Sequence, residues 1–234
     1  MKSYRTVQFQ SREFCDYCTE RFTKGLRISM KVRTEARREA IIDAAASVFL
    51  EMGYERASMN EVTKRMGGSK ATIYSYFPSK EELFIAVVNR LATAHLAEAV
   101  SELTVHEDTE VDLRTLFTRF GERMLMVLIN DDKALAVYRM VVAESGHSDI
   151  GMMFYDSGPR ECLQTVTSLM TLAMRRGQLR DTDPHIAALQ LTSLLTAETD
   201  IRLYQQAPMP LSIEQIRAMV ERAVDTFMLG MEKR

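Results

Sequence analysis

Apolar residues recur along this chain at spacings of three and four, the pattern of amphipathic helix. The first convincing stretch runs from about Thr34 to Met52. Ile41, Ala45, Val48, Phe49 and Met52 share one face, and Gly53 follows as a stop. Ser58-Met59-Asn60-Glu61 reads as a capping box, in which Ser58 accepts from the amide three residues on and Glu61 reaches back. It opens a short helix ending near Met66. Gly67-Gly68 supplies the turn, because two residues without Cβ can take left-handed angles. Ser69 caps a second short helix, Lys70 to Tyr76, which Pro78 stops. Ser79-Lys80-Glu81-Glu82 is a second capping box and starts a long helix to about Leu103.

The helical grammar continues to the end. Leu113, Leu116, Phe117, Phe120, Met124, Val127 and Leu128 form a wide apolar stripe. Residues 134–143 are apolar nearly all round, as a centrally buried helix must be. A helix opening at Gly158-Pro159 closes at Arg175-Arg176-Gly177, where the cations suit the helix dipole and Gly suits the C′ position. Asp183-Pro184 begins another, to about Tyr204. The last spans about Ser212 to Met231, with Ile213, Ile216, Val220, Ala223, Phe227 and Met231 on one face. The expectation is an all-α protein of about nine helices. It divides into an N-terminal extension (1–30), a helix-turn-helix domain (31–80) and a larger helical domain (81–234). Met30 stands directly before the first helix and is a candidate translation start.

Two short helices around a glycine turn in about 20 residues form a helix-turn-helix, whose second helix fits a major groove about 12 Å wide. Ordinary helical hairpins share that outline, so the contents of the second helix decide. Ser69, Lys70, Thr72, Tyr74, Ser75 and Tyr76 crowd donors and a cation into two turns, beside the small Ala71. Only Ile73 and Phe77 look buried, too little for a helix whose sole task is packing.

Charge changes the picture in the same direction. The net charge of −2 argues against a nucleic-acid binder, but its distribution does not. Residues 1–80 carry 15 Lys/Arg against 9 Asp/Glu, whereas residues 81–234 carry 15 against 23. A basic N-terminal part on an acidic remainder suits an anionic partner at one end.

Other classes are excluded by what the sequence lacks. No stretch approaches 18 uncharged apolar residues, and the first residues have no apolar run of a secretory signal. Three cysteines fit a reducing cytoplasm, and Cys15-x-x-Cys18 has no second pair to complete a zinc site. No Ser-His-Asp grouping, P-loop or HExxH motif supports catalysis, so neither metal nor cofactor is expected.

Residues from about Arg37 to Ala86 resemble the DNA-binding domain of the TetR/AcrR family. The likeness rests on Ala44-Ala45-Ala46-Ser47-Val48-Phe49, on Gly53-Tyr54 and on Ser58-Met59. It continues through Gly68-Ser69-Lys70-Ala71-Thr72-Ile73-Tyr74-Ser75-Tyr76-Phe77 and ends with Pro78-Ser79-Lys80-Glu81-Glu82-Leu83-Phe84. Val62-Thr63 replaces a usual Ile-Ala pair, and Gly68 a usual apolar residue. The resemblance implies a DNA face of Ser58, Ser69, Lys70, Ala71, Thr72, Tyr74, Ser75, Tyr76 and Lys80. Lysines there neutralise phosphates while hydroxyls and helix amides position the backbone. Tyr74 and Tyr76 alternatively belong partly to the core.

Further on, Arg139-Met140-Val141-Val142-Ala143-Glu144, Phe154-Tyr155 and Gly158-Pro159-Arg160 resemble the C-terminal domain of the AefR-like subgroup. That resemblance implies a ligand cavity among the middle helices and a dimer interface on the last two long ones. Cavity candidates are Phe117, Phe120, Met124, Tyr138, Met152, Met153, Phe154, Tyr155, Met170 and Met174; ordinary core packing is the competing role for each. Sixteen methionines suit an adaptable apolar site for a small apolar or amphipathic effector. Leu191, Leu194, Leu195, Ile216, Val220 and Phe227 are the interface candidates, or else they pack internally. The implied function is a homodimeric regulator of double-stranded operator DNA, a repressor released by its effector, with the helix from Ser79 to Leu103 as transmitter. Activation is the variant of that reading. The rival from another class is a helical ligand-binding protein without DNA binding, which would tolerate loss of Lys70 and Lys80.

Overall fold

The computed structural model describes residues 34–103 and 112–233. The N-terminal extension, with Cys15, Cys18 and Met30, lies outside the described residues, as do the side chains of Val127 and Leu128. Within them every regular element is helical, apart from one isolated bridge between Leu179 and Glu232.

The N-terminal unit consists of α1 (34–52), α2 (Met59–Met66) and α3 (Lys70–Tyr76). α4 (Lys80–Val88) runs into a π-helical segment (Asn89–Thr93) and then α5 (Ala94–Ser101). α6 (Leu113–Asn130), α7 (Asp132–Glu144), α8 (Ile150–Asp156) and α9 (Pro159–Arg175) follow. α10 (Pro184–Thr196), a 3₁₀ turn (Asp200–Tyr204) and α11 (Ile213–Met231) complete the chain.

Most boundaries fall where the capping residues put them. Ser58, Ser69 and Ser79 accept from the amides of Glu61, Thr72 and Glu82, and Asp183 accepts from those of His185 and Ile186. The structure departs from the expected nine helices at three places. The helix from Ser79 to Leu103 is divided by the π segment, and α8 is an additional helix. At seven residues α8 is too short to show periodicity. The helix expected to reach Tyr204 ends at Thr196 and resumes only as a 3₁₀ turn.

Two apolar cores result. One gathers α1–α4 around Phe49, Tyr54 and Phe84, whose rings meet at centroid distances of 4.9–5.8 Å. Fully burying one such ring contributes roughly 1.5–3 kcal/mol. This core continues past residue 80: it also takes in Leu83, Val87, Ala92 and three residues from further on, Val137, Val141 and Ile150. The second core lies among α5, α6, α9, α10 and α11, with Phe117, Phe120, Met170, Leu191, Ile216 and Val220 fully enclosed. α7 packs into the first core through Val137 and Val141, with Ala134 and Leu135 also buried, while Val142 stays exposed despite the apolar run.

Candidate nucleic-acid interface and cavity

The turn between α2 and α3 is built by one left-handed residue. Gly67 has φ 68° and its amide donates to the Thr63 carbonyl. Gly68 is not left-handed; a Cβ there would lie 2.7 Å from Arg37 Nη2 and 2.8 Å from Met66 Cε. The turn brings α3 out across α2 with Ile73 buried and Phe77 sealing its end. Of the Ser58 capping box only half is formed. Ser58 accepts from Glu61, but the Glu61 carboxylate pairs instead with Lys64 at 2.6 Å.

On α3 the structure leaves Ser69, Lys70, Ala71, Tyr74 and Ser75 exposed, with Thr72 half-buried. Ser69 and Thr72 hydroxyls lie 2.9 Å apart, and Ser75 donates to the Thr72 carbonyl. Lys70 has no ion-pair partner among the described residues; its ammonium lies 5.6 Å from the centroid of the Tyr74 ring, one turn on. The neighbouring cations are committed: Arg65 to Glu51, Lys64 to Glu61, and Arg90 to Glu39 and Asp43. Tyr76 is half-buried and packs on the N-terminal core. Ser58 is half-buried at the head of α2.

Lys80 departs from its expected place. Its ammonium donates to the Tyr54 carbonyl at 3.1 Å and lies 4.1 Å from the Tyr54 ring centroid. A cation so held stabilises the loop.

A cavity of about 510 Å³ lies between the two cores. Met124, Tyr138, Phe154 and Tyr155 line it as the sequence suggests. The other candidates do not. Phe117, Phe120, Met170 and Met174 are buried in the second core, Met153 packs on the first, and Met152 is 56% exposed. The apolar stripe that carries them is the inward face of α6 and α9, which close-packed neighbours fill.

Sequence reasoning missed the polar end of this cavity. Thr192, Thr196, Thr199, Asp200 and Arg202 come from the end of α10 and the 3₁₀ turn, and Cys162 from α9. Arg202 is only 8% exposed and donates to the Met209 carbonyl; burial lowers its pKa while Asp132 opposes the change. Arg139 donates to the carbonyls of Leu203, Arg202 and Gln205, so two arginines hold the 3₁₀ turn over the cavity. Burial raises the Tyr138 hydroxyl, with Asp200 adding, and pushes the Cys162 thiol up to about 11. The polar residues of this end lie on both sides of a helix boundary, where no periodic pattern marks them.

Two family models match this chain. Residues 41–87 match the tetR family of bacterial regulatory proteins, and residues 115–230 match the AefR-like transcriptional repressor C-terminal domain. Together they take in well over half of the sequence. The chain belongs to the TetR family. A relative, the HTH-type transcriptional activator FasR of Mycolicibacterium smegmatis, is 39% identical over 117 residues, 50% of this chain and 50% of FasR. The chain thus aligns to about half of that relative's length. Among solved structures, the flavonoid-responsive regulator FrrA is 28% identical, with a TM-score of 0.67 over 86% of this chain and 99% of FrrA. A TetR family transcriptional regulator from Pseudomonas syringae pv. tomato DC3000 is 27% identical, with a TM-score of 0.64 over 84% and 97%.

Leu191, Leu195, Ile216 and Val220 are fully buried within the single chain, so they cannot also form a surface, whereas Phe227 lines the groove between α10 and α11. The correction follows from which stripe was chosen: the more apolar one closes the chain's own core, as the alternative reading had it. The outer face still carries apolar residues, namely Ile186, Leu189 and, at 75% exposure, Leu229, with Leu194 half-buried. Between α10 and α11, Ile186, Leu189 and Leu194 line a groove together with Ser193, Ala197 and Gly230. No helix of the described residues is long and apolar enough to cross a membrane.

Proposed function

We propose that this TetR-family regulator binds a palindromic operator as a homodimer, represses transcription there, and is released when a small apolar or amphipathic effector enters the cavity. One observation carries the reading. The exposed donors and uncompensated cation of α3 face outward, while α7 lines the cavity with Leu135, Tyr138, Val141 and Val142 and also packs into the DNA-binding core. A ligand pressing on α7 therefore presses on the unit that carries α3.

Ser69, Lys70, Ala71, Thr72, Tyr74 and Ser75 form the surface offered to the major groove. Ser58 caps the preceding helix and Tyr76 buttresses α3 from the core side. Lys70 supplies a phosphate or base-edge contact, the hydroxyls hydrogen-bond the backbone, and the small Ala71 permits close approach. The outer face of α10 and α11 is the proposed dimer contact. Two copies meeting there form a four-helix bundle under a two-fold axis, and Ser193, Ala197 and Gly230 let the helices approach. Such a dimer sets two α3 helices about one DNA turn, roughly 34 Å, apart.

Repression needs only that the bound dimer occlude a promoter, whereas activation needs a further surface for the polymerase. FasR is an activator by name, so the test reads both directions. The promoter of the chain's own gene is fused to a reporter and measured with and without the chain. Lower expression with the chain, reversed by Lys70→Ala, is expected. Higher expression with the chain overturns repression, and equal expression overturns control of that promoter.

A further inference from the structure

We propose that Glu144 is the residue that seats the DNA-binding unit on the cavity-bearing body, so that the state of the cavity reaches α2 and α3 through α7. The inference rests on the reading of α3 and the cavity given above.

Glu144 is the last residue of α7. Its Oε1 accepts from the Tyr54 amide at 2.7 Å and its Oε2 from the Glu55 amide at 3.0 Å, across about 90 residues of sequence. Two consecutive backbone amides thus hold one carboxylate, a charge-assisted pair stronger than neutral hydrogen bonds. Gly53 makes room for it. That residue has φ 77°, and a Cβ there would lie 2.5 Å from Glu144 Oε1. Gly53 is therefore favoured by the carboxylate as well as by the turn.

The grip is two-sided. While Glu144 holds the Tyr54 amide, Lys80 donates to the carbonyl of the same residue at 3.1 Å. The loop so fixed continues through Ala57, whose amide donates to the Gly53 carbonyl, into the N-cap of α2. On the other side Val141, one helical turn before Glu144, lines the cavity and also belongs to the DNA-binding core. A displacement of α7 by an occupant of the cavity is passed to the loop within the few tenths of an ångström that such hydrogen bonds tolerate. The second tie between the parts is Arg90 of the π segment, bonded to Glu39 and Asp43 of α1. It anchors a different helix; the α1–α2 loop is held by Glu144 from α7 and by Lys80 and Glu81 from the start of α4.

The test is a double-mutant cycle on the full chain, with Glu144→Ala, the cavity-filling Thr192→Trp, and both together. Thr192 lines the cavity from α10, so the indole stands in for an effector and no ligand need be known. Two readouts are taken: the dissociation constant for a DNA fragment from upstream of the chain's own gene, and the exchange rates of the Tyr54 and Glu55 amides. Thr192→Trp alone is expected to weaken DNA binding about five-fold or more, the low end of typical coupling between sites, and to speed exchange of both amides. In the Glu144→Ala background its effect on DNA binding should fall below about two-fold. Glu144→Gln keeps one acceptor oxygen, should give intermediate values, and serves if the alanine variant fails to fold. An equal Thr192→Trp effect in both backgrounds, or none in either, overturns the proposal. If the wild-type chain binds no DNA, the functional reading fails separately and the amides decide: unchanged exchange in Thr192→Trp overturns the role of Glu144, and faster exchange upholds it.

Discussion

The ammonium of Lys80 sits 4.1 Å from the centroid of the Tyr54 ring and donates to the Tyr54 carbonyl, joining the start of α4 to the loop before α2. Tyr54 in turn donates its hydroxyl to Glu81 at 3.2 Å. The two residues thus lock each other across the N-terminal unit, and the lysine acts as a structural cation. Replacing it with Met, which keeps the aliphatic stem, should cost about 1 kcal/mol of stability in denaturant unfolding. It should leave the salt dependence of DNA binding unchanged. Lys70→Ala should do the reverse, with little loss of stability and a salt slope shallower by about 0.9 for one lost phosphate contact. A salt slope that falls with Lys80→Met would return Lys80 to the DNA face.

Gly67 and Gly68 should respond differently to alanine. Gly67 has φ 68°, where a Cβ is strained although nothing stands within 4 Å. Gly67→Ala should destabilise the chain by about 1 kcal/mol or more. At Gly68 a Cβ meets only the flexible ends of Arg37 and Met66, so Gly68→Ala should cost less. Paired thermal unfolding curves would show it; equal losses would mean that the turn distributes its strain over both residues.

The two faces of α10 offer the sharpest separation of interior from interface. Leu191 is fully buried, so Leu191→Ala should lose about 2–5 kcal/mol of stability in the folded chain. Leu194 borders the outer groove, so Leu194→Arg should leave the fold intact by circular dichroism and convert dimers to monomers in light scattering. A monomeric wild-type chain would remove the dimer from the account.

Much of the DNA-binding unit was legible because its determinants are local. Serines at three helix starts, a left-handed glycine and a proline stop act within a few residues of themselves, and the structure places those starts and stops accordingly. The cavity was not, because periodicity identifies buried faces without saying whether neighbours fill them. Phe117 and Phe120 proved to be packed core, while Thr196 and Arg202 border open space at a helix end. α10 misled for a related reason: with Leu191 and Leu195 inward and Ile186 and Leu189 outward, both faces are apolar. The charge asymmetry also shifts in meaning, since 8 of the 15 cations of residues 1–80 precede residue 34. The outward face of α3 thus rests on Lys70 and hydroxyls more than on net charge.

Acid should loosen the Tyr54–Glu81 contact. The amide of Glu81 itself, with the Tyr54 and Ser79 hydroxyls, holds its carboxyl below the usual 4.5. A lowered folded pKa contributes stability that is present above the ordinary value and lost as pH falls through the folded one. Unfolding temperature should therefore decline below about pH 4.5. Glu81→Gln should flatten part of that decline, the remainder belonging to Glu51, Asp112, Glu198 and Glu214, whose carboxyls are also lowered. An identical acid limb in wild type and Glu81→Gln would contradict the role given to this contact.

Burial keeps the Cys162 thiol protonated up to about 11, so at pH 8 it should alkylate far more slowly in the folded chain than in urea. Mass spectrometry of the tryptic peptide reads this. Rapid labelling would show that the cavity wall opens to solvent.

Regulation by this chain requires that it distinguish one DNA from another through α3. Fluorescence anisotropy of the purified, ligand-free chain decides it, using DNA from upstream of its own gene, a scrambled control of equal length and a salt series. Preference for the native DNA, falling steeply with salt and lost in Lys70→Ala, is expected. Absence of binding to either DNA at low salt would contradict the assignment of α3 as a DNA-reading helix and leave a helical ligand-binding protein in its place.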